Sequence, residues 1–108
     1  MPKYLGLFRY SPEGAKGLIK EKAAAREAAI RKMYEGIGGK VEAIYWLASG
    51  EYSGAVVVEL PDAATGAAFL TVVGASGAFD TVVSMEVINS SELDRALTRT
   101  TTYRPPGA

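Results

Sequence analysis

The order of strand-like and helix-like segments along the chain limits the possible folds more than any other feature. Alternating or β-branched residues indicate strands at 2–10, 40–47, 53–60 and 78–88, and helical patterns cover 16–37, 62–74 and 89–97. A β-α-β-β-α-β order followed by a last helix is typical of the ferredoxin-like split βαβ arrangement. We therefore predict an α+β fold with a four-stranded antiparallel sheet of order 4-1-3-2 and both main helices on one face.

The boundaries of the helices carry recognisable signals. Ser11 and Pro12 suit the N-cap and the first helical position of helix 1, and Gly38-Gly39 would end that helix. Apolar residues recur from residue 16 to residue 37 at three- and four-residue steps, which predicts one continuous helix. Arg26 is the one long cation on this stripe. We expect it either to pair with an acid or to cover the core with its aliphatic stem.

Both faces of the predicted sheet are apolar, although two helices can cover only one of them. Strand 1 places Leu5 and Leu7 on one face and aromatic residues on the other, and strand 3 is apolar on both faces apart from Glu59. A second apolar face of this size is too large to leave in water on a monomer. The pattern predicts a homodimer that joins the two sheets into a dimeric α+β barrel.

Glu59 is the exception in the apolar third strand. Strand alternation puts it on the same face as Ala55 and Val57, which we expect to be the helix-free face. Two interpretations remain open. Glu59 either ends the strand in solvent or in an ion pair, or it is a pocket carboxylate whose pKa desolvation raises. In the second case, aromatic residues would form the walls of the pocket, namely Tyr4, Phe8, Tyr10 and Trp46.

The composition excludes several kinds of chemistry. The 108 residues include no cysteine and no histidine, so thiol and histidine catalysis are impossible. The carboxylates are scattered and no glycine-rich phosphate loop is present, so we predict no metal site and no cofactor. Lys+Arg and Asp+Glu both total 12, which disfavours nucleic-acid binding. No apolar segment approaches the length of a membrane helix, and we expect a cytoplasmic protein.

We predict a single domain over residues 1–97 and a polar, proline-ended tail over 98–108. Within this domain the sequence resembles the GYD-domain family, whose characteristic stretch is Gly-x-Tyr-Asp, a β-branched strand, and Glu-x-Pro-Asp. The matching residues are Gly50, Tyr52, Glu59, Pro61 and Asp62, with further likeness at Tyr10-Ser11, Gly14, Arg26, Gly38-Gly39 and Gly77. Ser53 replaces the Asp of the family motif, which removes a second carboxylate from this stretch. The resemblance implies a dimeric α+β barrel but no particular reaction.

Two functional hypotheses follow from the residues and the resemblance. The first is a dimeric barrel of unassigned activity that holds a small hydrophobic or aromatic ligand, with Tyr52 added to the residues around Glu59 as a candidate contact. The second is a cofactor-free enzyme, of the monooxygenase, isomerase or cyclase type found in the wider superfamily, with Glu59 as its acid or base. The absence of histidine and cysteine favours the first, and a carboxylate among aromatic residues favours the second.

Overall fold

The computed structural model describes the whole chain, residues 1–108. Its elements are β1 (Lys3–Tyr10), α1 (Pro12–Glu21), α2 (Ala23–Gly36), β2 (Lys40–Trp46), β3 (Gly54–Glu59), α3 (Ala63–Ala75), β4 (Phe79–Val87) and α4 (Ser90–Leu97). The strands form one antiparallel sheet of order β2-β3-β1-β4. The α+β class and the predicted strand order are confirmed, and the arrangement is compatible with a ferredoxin-like fold.

Three side-chain caps fix where helices begin. The Ser11 hydroxyl accepts a hydrogen bond from the Gly14 amide at 3.2 Å, and Pro12 is the first residue of α1. Asp62 caps α3 by accepting from the Thr65 amide at 2.7 Å, and Asn89 forms a capping box with Glu92 at the start of α4. These local signals explain why the predicted helix starts after Ser11, Asp62 and Asn89 are confirmed.

The prediction of one continuous helix over residues 16–37 is wrong, because the helix breaks at Lys22. This residue has φ 78° and ψ 159°, and it is the only residue other than glycine with a positive φ. Its amide still bonds to the Leu18 carbonyl, and its own carbonyl accepts from the Arg26 amide. The result is two helices, α1 and α2, that form a corner at Lys22 on one side of the sheet.

Two β-bulges also depart from simple alternation. The register of β2 on β3 shifts between Val41 and Ala43, so Val41 lies on the same face as Ile44 and not on the face of Ala43. The register of β1 on β4 shifts between Arg9 and Tyr10, which pairs Tyr10 with Phe79. Each bulge moves apolar or aromatic side chains to the helix side of the sheet.

The core lies between the sheet and the helices. Its buried residues are Tyr34, Val41, Val56, Val58 and Leu60, and Tyr4, Ile30, Ile37, Ile44 and Phe69 pack against them. Because residues directly opposite each other in an antiparallel pair point to the same face, Tyr4 and Phe8 share this helix side with Val58 and Gly54. The opposite, helix-free face carries Leu5 and Leu7.

The C-terminal part of the chain is exposed throughout. Every residue from Ile88 to Ala108 is exposed, including the apolar Leu93 and Leu97 of α4. The molecule is elongated, with a radius of gyration of 17.1 Å, compared with roughly 13 Å for a compact chain of this length. None of the four helices combines the length and the apolar character needed to cross a membrane.

Candidate functional site

A cavity of about 750 Å³ lies between the helix side of the sheet and the helices α1, α2 and α3. Of its 31 lining residues, 21 are hydrophobic, and both β1 and β4 contribute to its floor. Small residues leave this space open, because α3 consists largely of Ala, Gly, Thr and Val and presents few large side chains to the sheet. A volume of this size lies within the range of small-molecule pockets, roughly 300 to 1,000 Å³.

Aromatic rings form one end of the cavity. The Phe8 ring meets Tyr10, Phe79 and Trp46 edge-on, at centroid distances of 5.5, 5.7 and 6.1 Å. Tyr10 and Phe79 stack at 4.9 Å with their planes 21° apart. Phe8 is almost fully buried, while Tyr10 and Phe79 are half-buried and line the cavity. The structure therefore brings the rings of Phe8, Tyr10, Trp46 and Phe79 into one cluster, in which Trp46 does not line the cavity.

A second group of aromatic residues lies deeper, against the core. Tyr34 of α2 contacts Phe69 of α3 with ring centroids 4.6 Å apart, and Tyr4 packs on the same cluster. Burial raises the pKa of the Tyr34 hydroxyl above its ordinary value of 10.0. Tyr34 was absent from the predicted site. Its position four residues after Ile30 and three before Ile37 placed it on the apolar side of the helix and could have identified it.

Charged residues reach the cavity at the corner between α1 and α2. Glu21 is the last residue of α1, Arg26 lies in the first turns of α2, and both line the cavity together with Tyr10. Arg26 Nη1 lies 3.6 Å from Glu21 Oε2. Arg26 therefore pairs with an acid, as expected, although the ion pair is long. Burial raises the pKa of Tyr10, the Arg26 guanidinium lowers it, and the Glu21 carboxylate raises it; the net pKa is above 10.0.

Glu59 lies outside this cavity. Its register neighbours are Lys3 of β1 and Lys40 of β2, and Val57 of the same face pairs with Leu5. Glu59 is therefore on the helix-free face, as predicted, but Tyr4, Phe8, Tyr10 and Trp46 project from the other face. The expectation that these rings surround Glu59 is wrong. Alternation predicts which residues of one strand share a face. It does not predict which residues of the neighbouring strand lie on that same side of the sheet.

The surroundings of Glu59 are polar. A smaller cavity of about 450 Å³ at the end of the sheet includes Glu59, Lys3, Glu86 and Glu92 among its nine lining residues, of which three are hydrophobic. Lys3 Nζ pairs with Glu42 Oε2 at 3.0 Å on the neighbouring strand. No group of three acidic side chains is arranged to hold a metal ion. The carboxylate of Glu59 is thus part of a charged sheet end.

Tyr52 also lies apart from the large cavity. It is half-buried in the connection between β2 and β3, where Gly50 adopts a φ of 91°. The next residue, Ser53, holds this connection against β1: its amide donates to the Phe8 carbonyl at 2.7 Å, and its hydroxyl accepts from the Tyr10 amide at 3.1 Å. The motif residue Ser53 therefore positions the strand that carries the aromatic rings.

Comparison with known proteins identifies the family. The GYD domain family profile matches residues 4–97, which include all four helices, all of the strands except Lys3, and every residue of the large cavity. No curated protein has a significant match to the sequence. The match covers most of the 108 residues, from the second residue of β1 to the end of α4. The chain therefore belongs to the GYD-domain family.

Proposed function

We propose that the protein binds a small, mainly apolar molecule, with aromatic character, in the cavity between its sheet and its helices. The observation that carries the proposal is the cavity of about 750 Å³ with its mostly hydrophobic lining. An apolar space of this size weakens packing, because each lining atom loses contacts that a filled core would supply. A bound molecule would restore those contacts. The rings of Tyr10 and Phe79 offer flat surfaces on which a planar ligand can stack.

The proposal includes a homodimer through the helix-free face of the sheet. Apolar residues occupy the centre of this face, including Leu5, Val57, Met85 and Tyr45. Tyr45 is 64% exposed and Met85 is 42% exposed in the single chain. A second copy would cover this face, since two sheets of the same kind are complementary across a twofold axis. Sedimentation at micromolar concentration is expected to give about twice 11.4 kDa, and a monomer mass would contradict the dimer.

The enzyme hypothesis is not carried forward. It required Glu59 among aromatic residues, and the strand register separates Glu59 from the rings of Tyr4, Phe8 and Tyr10. The carboxylate of Glu21 does line the large cavity, but it is paired with Arg26 at 3.6 Å. The cytoplasmic location remains a prediction from the sequence.

Binding can be tested with a neutral aromatic probe. Isothermal titration calorimetry with 2-naphthylmethanol is expected to show binding to the unmodified protein. Val73 is half-buried on α3 and lines the cavity, so Val73→Trp would place a large ring in the ligand's space and abolish measurable binding. Thr71, two residues earlier on the same helix, is exposed and lies outside the lining, so Thr71→Trp is the matched control.

The control variant is expected to bind the probe like the unmodified protein. If neither a neutral nor an anionic naphthalene probe binds, the proposed function is wrong. Equal binding to the Val73→Trp and Thr71→Trp variants would show that the probe binds elsewhere, which also contradicts the proposal. Circular dichroism of each variant shows whether the fold is retained before the titrations are compared.

A further inference from the structure

The cavity wall is mostly apolar, with Glu13, Glu21, Arg26, Ser76 and Ser84 among its polar lining residues. Its polar corner lies between α1 and α2. Glu21, Arg26 and Tyr10 reach it from α1, α2 and β1, respectively. The other acid in the cavity lining, Glu13, is exposed and pairs with Lys16 at 3.6 Å. The polar corner is therefore formed by one guanidinium, one carboxylate and one phenol hydroxyl.

Arg26 has hydrogen-bonding capacity that the protein does not use. A guanidinium carries five N–H donors, and its one ionic contact is the 3.6 Å approach of Nη1 to Glu21. The Nε atom is buried and has no hydrogen-bond acceptor. A buried donor without an acceptor is costly, and native proteins rarely leave one unpaired. An acceptor supplied by a bound molecule would satisfy it.

The break at Lys22 is what brings the charged groups to one corner. In a continuous helix, side chains five positions apart, as Glu21 and Arg26 are, point about 140° away from each other, because each residue turns the helix by roughly 100°. The positive φ of Lys22 restarts the helix and allows both side chains to face the same space. Strained backbone of this kind is concentrated at binding and catalytic sites.

We infer that the ligand of the cavity carries an acidic oxygen group, a carboxylate on an aromatic or apolar body, which Arg26 binds while the body contacts the rings of Tyr10 and Phe79. This inference rests on the proposed function, since it assigns a chemical class to the molecule in the same cavity. Arg26 supplies charge-assisted hydrogen bonds to the carboxylate. The Tyr10 hydroxyl remains protonated at neutral pH and can donate a further hydrogen bond. Glu21 competes with the ligand for the guanidinium.

A matched pair of probes tests this assignment. 2-Naphthoate and 2-naphthylmethanol have the same ring system and differ in the acidic group. Calorimetry is expected to give tighter binding of 2-naphthoate to the unmodified protein. Arg26→Met keeps the length of the stem and removes the donors, so it is expected to weaken 2-naphthoate binding by roughly tenfold or more and leave 2-naphthylmethanol unchanged.

Two further variants separate this effect from general electrostatics and from misfolding. Lys32→Met removes one positive charge from an exposed position of α2 that does not line the cavity, and it is expected to leave the binding of both probes unchanged. Glu21→Gln removes the competing carboxylate but retains Arg26, so it is expected to tighten 2-naphthoate binding several-fold. If Arg26→Met does not fold, the tighter binding expected for Glu21→Gln still tests whether Arg26 binds the carboxylate.

The outcomes distinguish this inference from the proposed function. If both probes bind equally and neither Arg26→Met nor Glu21→Gln changes their affinity, the cavity binds apolar molecules but the acidic-ligand assignment is wrong. A preference for 2-naphthoate that disappears equally in Lys32→Met and Arg26→Met would attribute it to net charge and overturn the role of Arg26. Absence of binding for both probes contradicts the proposed function itself.

Discussion

Gly54 lies directly opposite Phe8 on the neighbouring strand, and the Phe8 ring occupies the space that a side chain at position 54 would need. A Cβ atom built on Gly54 would lie 2.8 Å from Phe8 Cε2 and closer still to Cζ. Phe8 is itself 7% exposed and contacts three other rings. The Phe8 ring therefore cannot move aside for a side chain at position 54. Glycine at this position allows the aromatic rings to pack at the end of the cavity.

Gly54→Ala is expected to lower the free energy of unfolding by about 2 kcal/mol, because the added methyl group overpacks a closed site. Urea denaturation followed by circular dichroism measures the change. Gly17→Ala is the control, since nothing lies within 4 Å of its added Cβ and the residue is inside α1. There the same substitution is expected to stabilise by roughly 0.5 to 1 kcal/mol. Similar effects at both positions would contradict the packing described for Phe8.

At the scale of the elements, the corner between α1 and α2 strains the backbone of Lys22 but brings the side chains of Glu21 and Arg26 together. Lys22 has a backbone conformation that is essentially restricted to glycine, at a cost of roughly 1 to 3 kcal/mol. The surrounding helices maintain it through the hydrogen bonds from the Lys22 amide to Leu18 and from the Arg26 amide to Lys22. The strain is thus located beside the polar corner of the cavity.

Lys22→Gly is expected to raise the free energy of unfolding by about 1 kcal/mol, because glycine adopts this conformation without steric strain. Lys32→Gly, on an exposed position inside α2, should have the opposite effect and cost about 1 kcal/mol. Thermal or urea unfolding of both variants gives the comparison. A loss of stability in both would indicate that Lys22 is not strained and that α1 and α2 form a continuous helix.

Element order and element ends could be predicted from the sequence because their causes are local. Ser11, Asp62 and Asn89 act on amides three residues away, so short patterns identify them. The Lys22 corner and the bulge next to Val41 could not be predicted, because packing between elements imposes them against local preference. The neighbours of Glu59 could not be predicted for the same reason. Glu59 was assigned to its correct face, but its neighbours depend on a register between strands more than 40 residues apart.

At the scale of the whole molecule, the single chain leaves apolar surface on several sides. The helix-free sheet face exposes Tyr45 and Met85, and Val72 of α3 is 70% exposed. Helix α3 contains no charged residue, so neither of its sides is suited to water. Exposed apolar surface of this extent is typical of an interaction site, and the proposed dimer would cover the part that lies on the helix-free face.

If the proposed dimer forms through this face, Val57→Asp is expected to give a folded monomer of 11.4 kDa, because an unpaired charge buried at the interface would cost several kcal/mol. Val57 lies on the helix-free face opposite Leu5. Ala28→Asp adds the same charge to an exposed position of α2 and should remain dimeric. Phe8→Asp, by contrast, would place the charge in the aromatic cluster and unfold the chain. A dimeric Val57→Asp variant would exclude this face as the interface.

The central position of β1 in the sheet has a consequence for how the chain reaches its fold. The first strand pairs on one side with residues 54–59 and on the other with residues 79–87, so its hydrogen bonds depend on segments made much later. Among the strand pairs, only β2 and β3 join neighbours in the sequence. Such long-range closure slows folding relative to a helical bundle of equal length. During synthesis, the aromatic residues of β1 therefore stay unpaired until the ribosome has released β3 and β4.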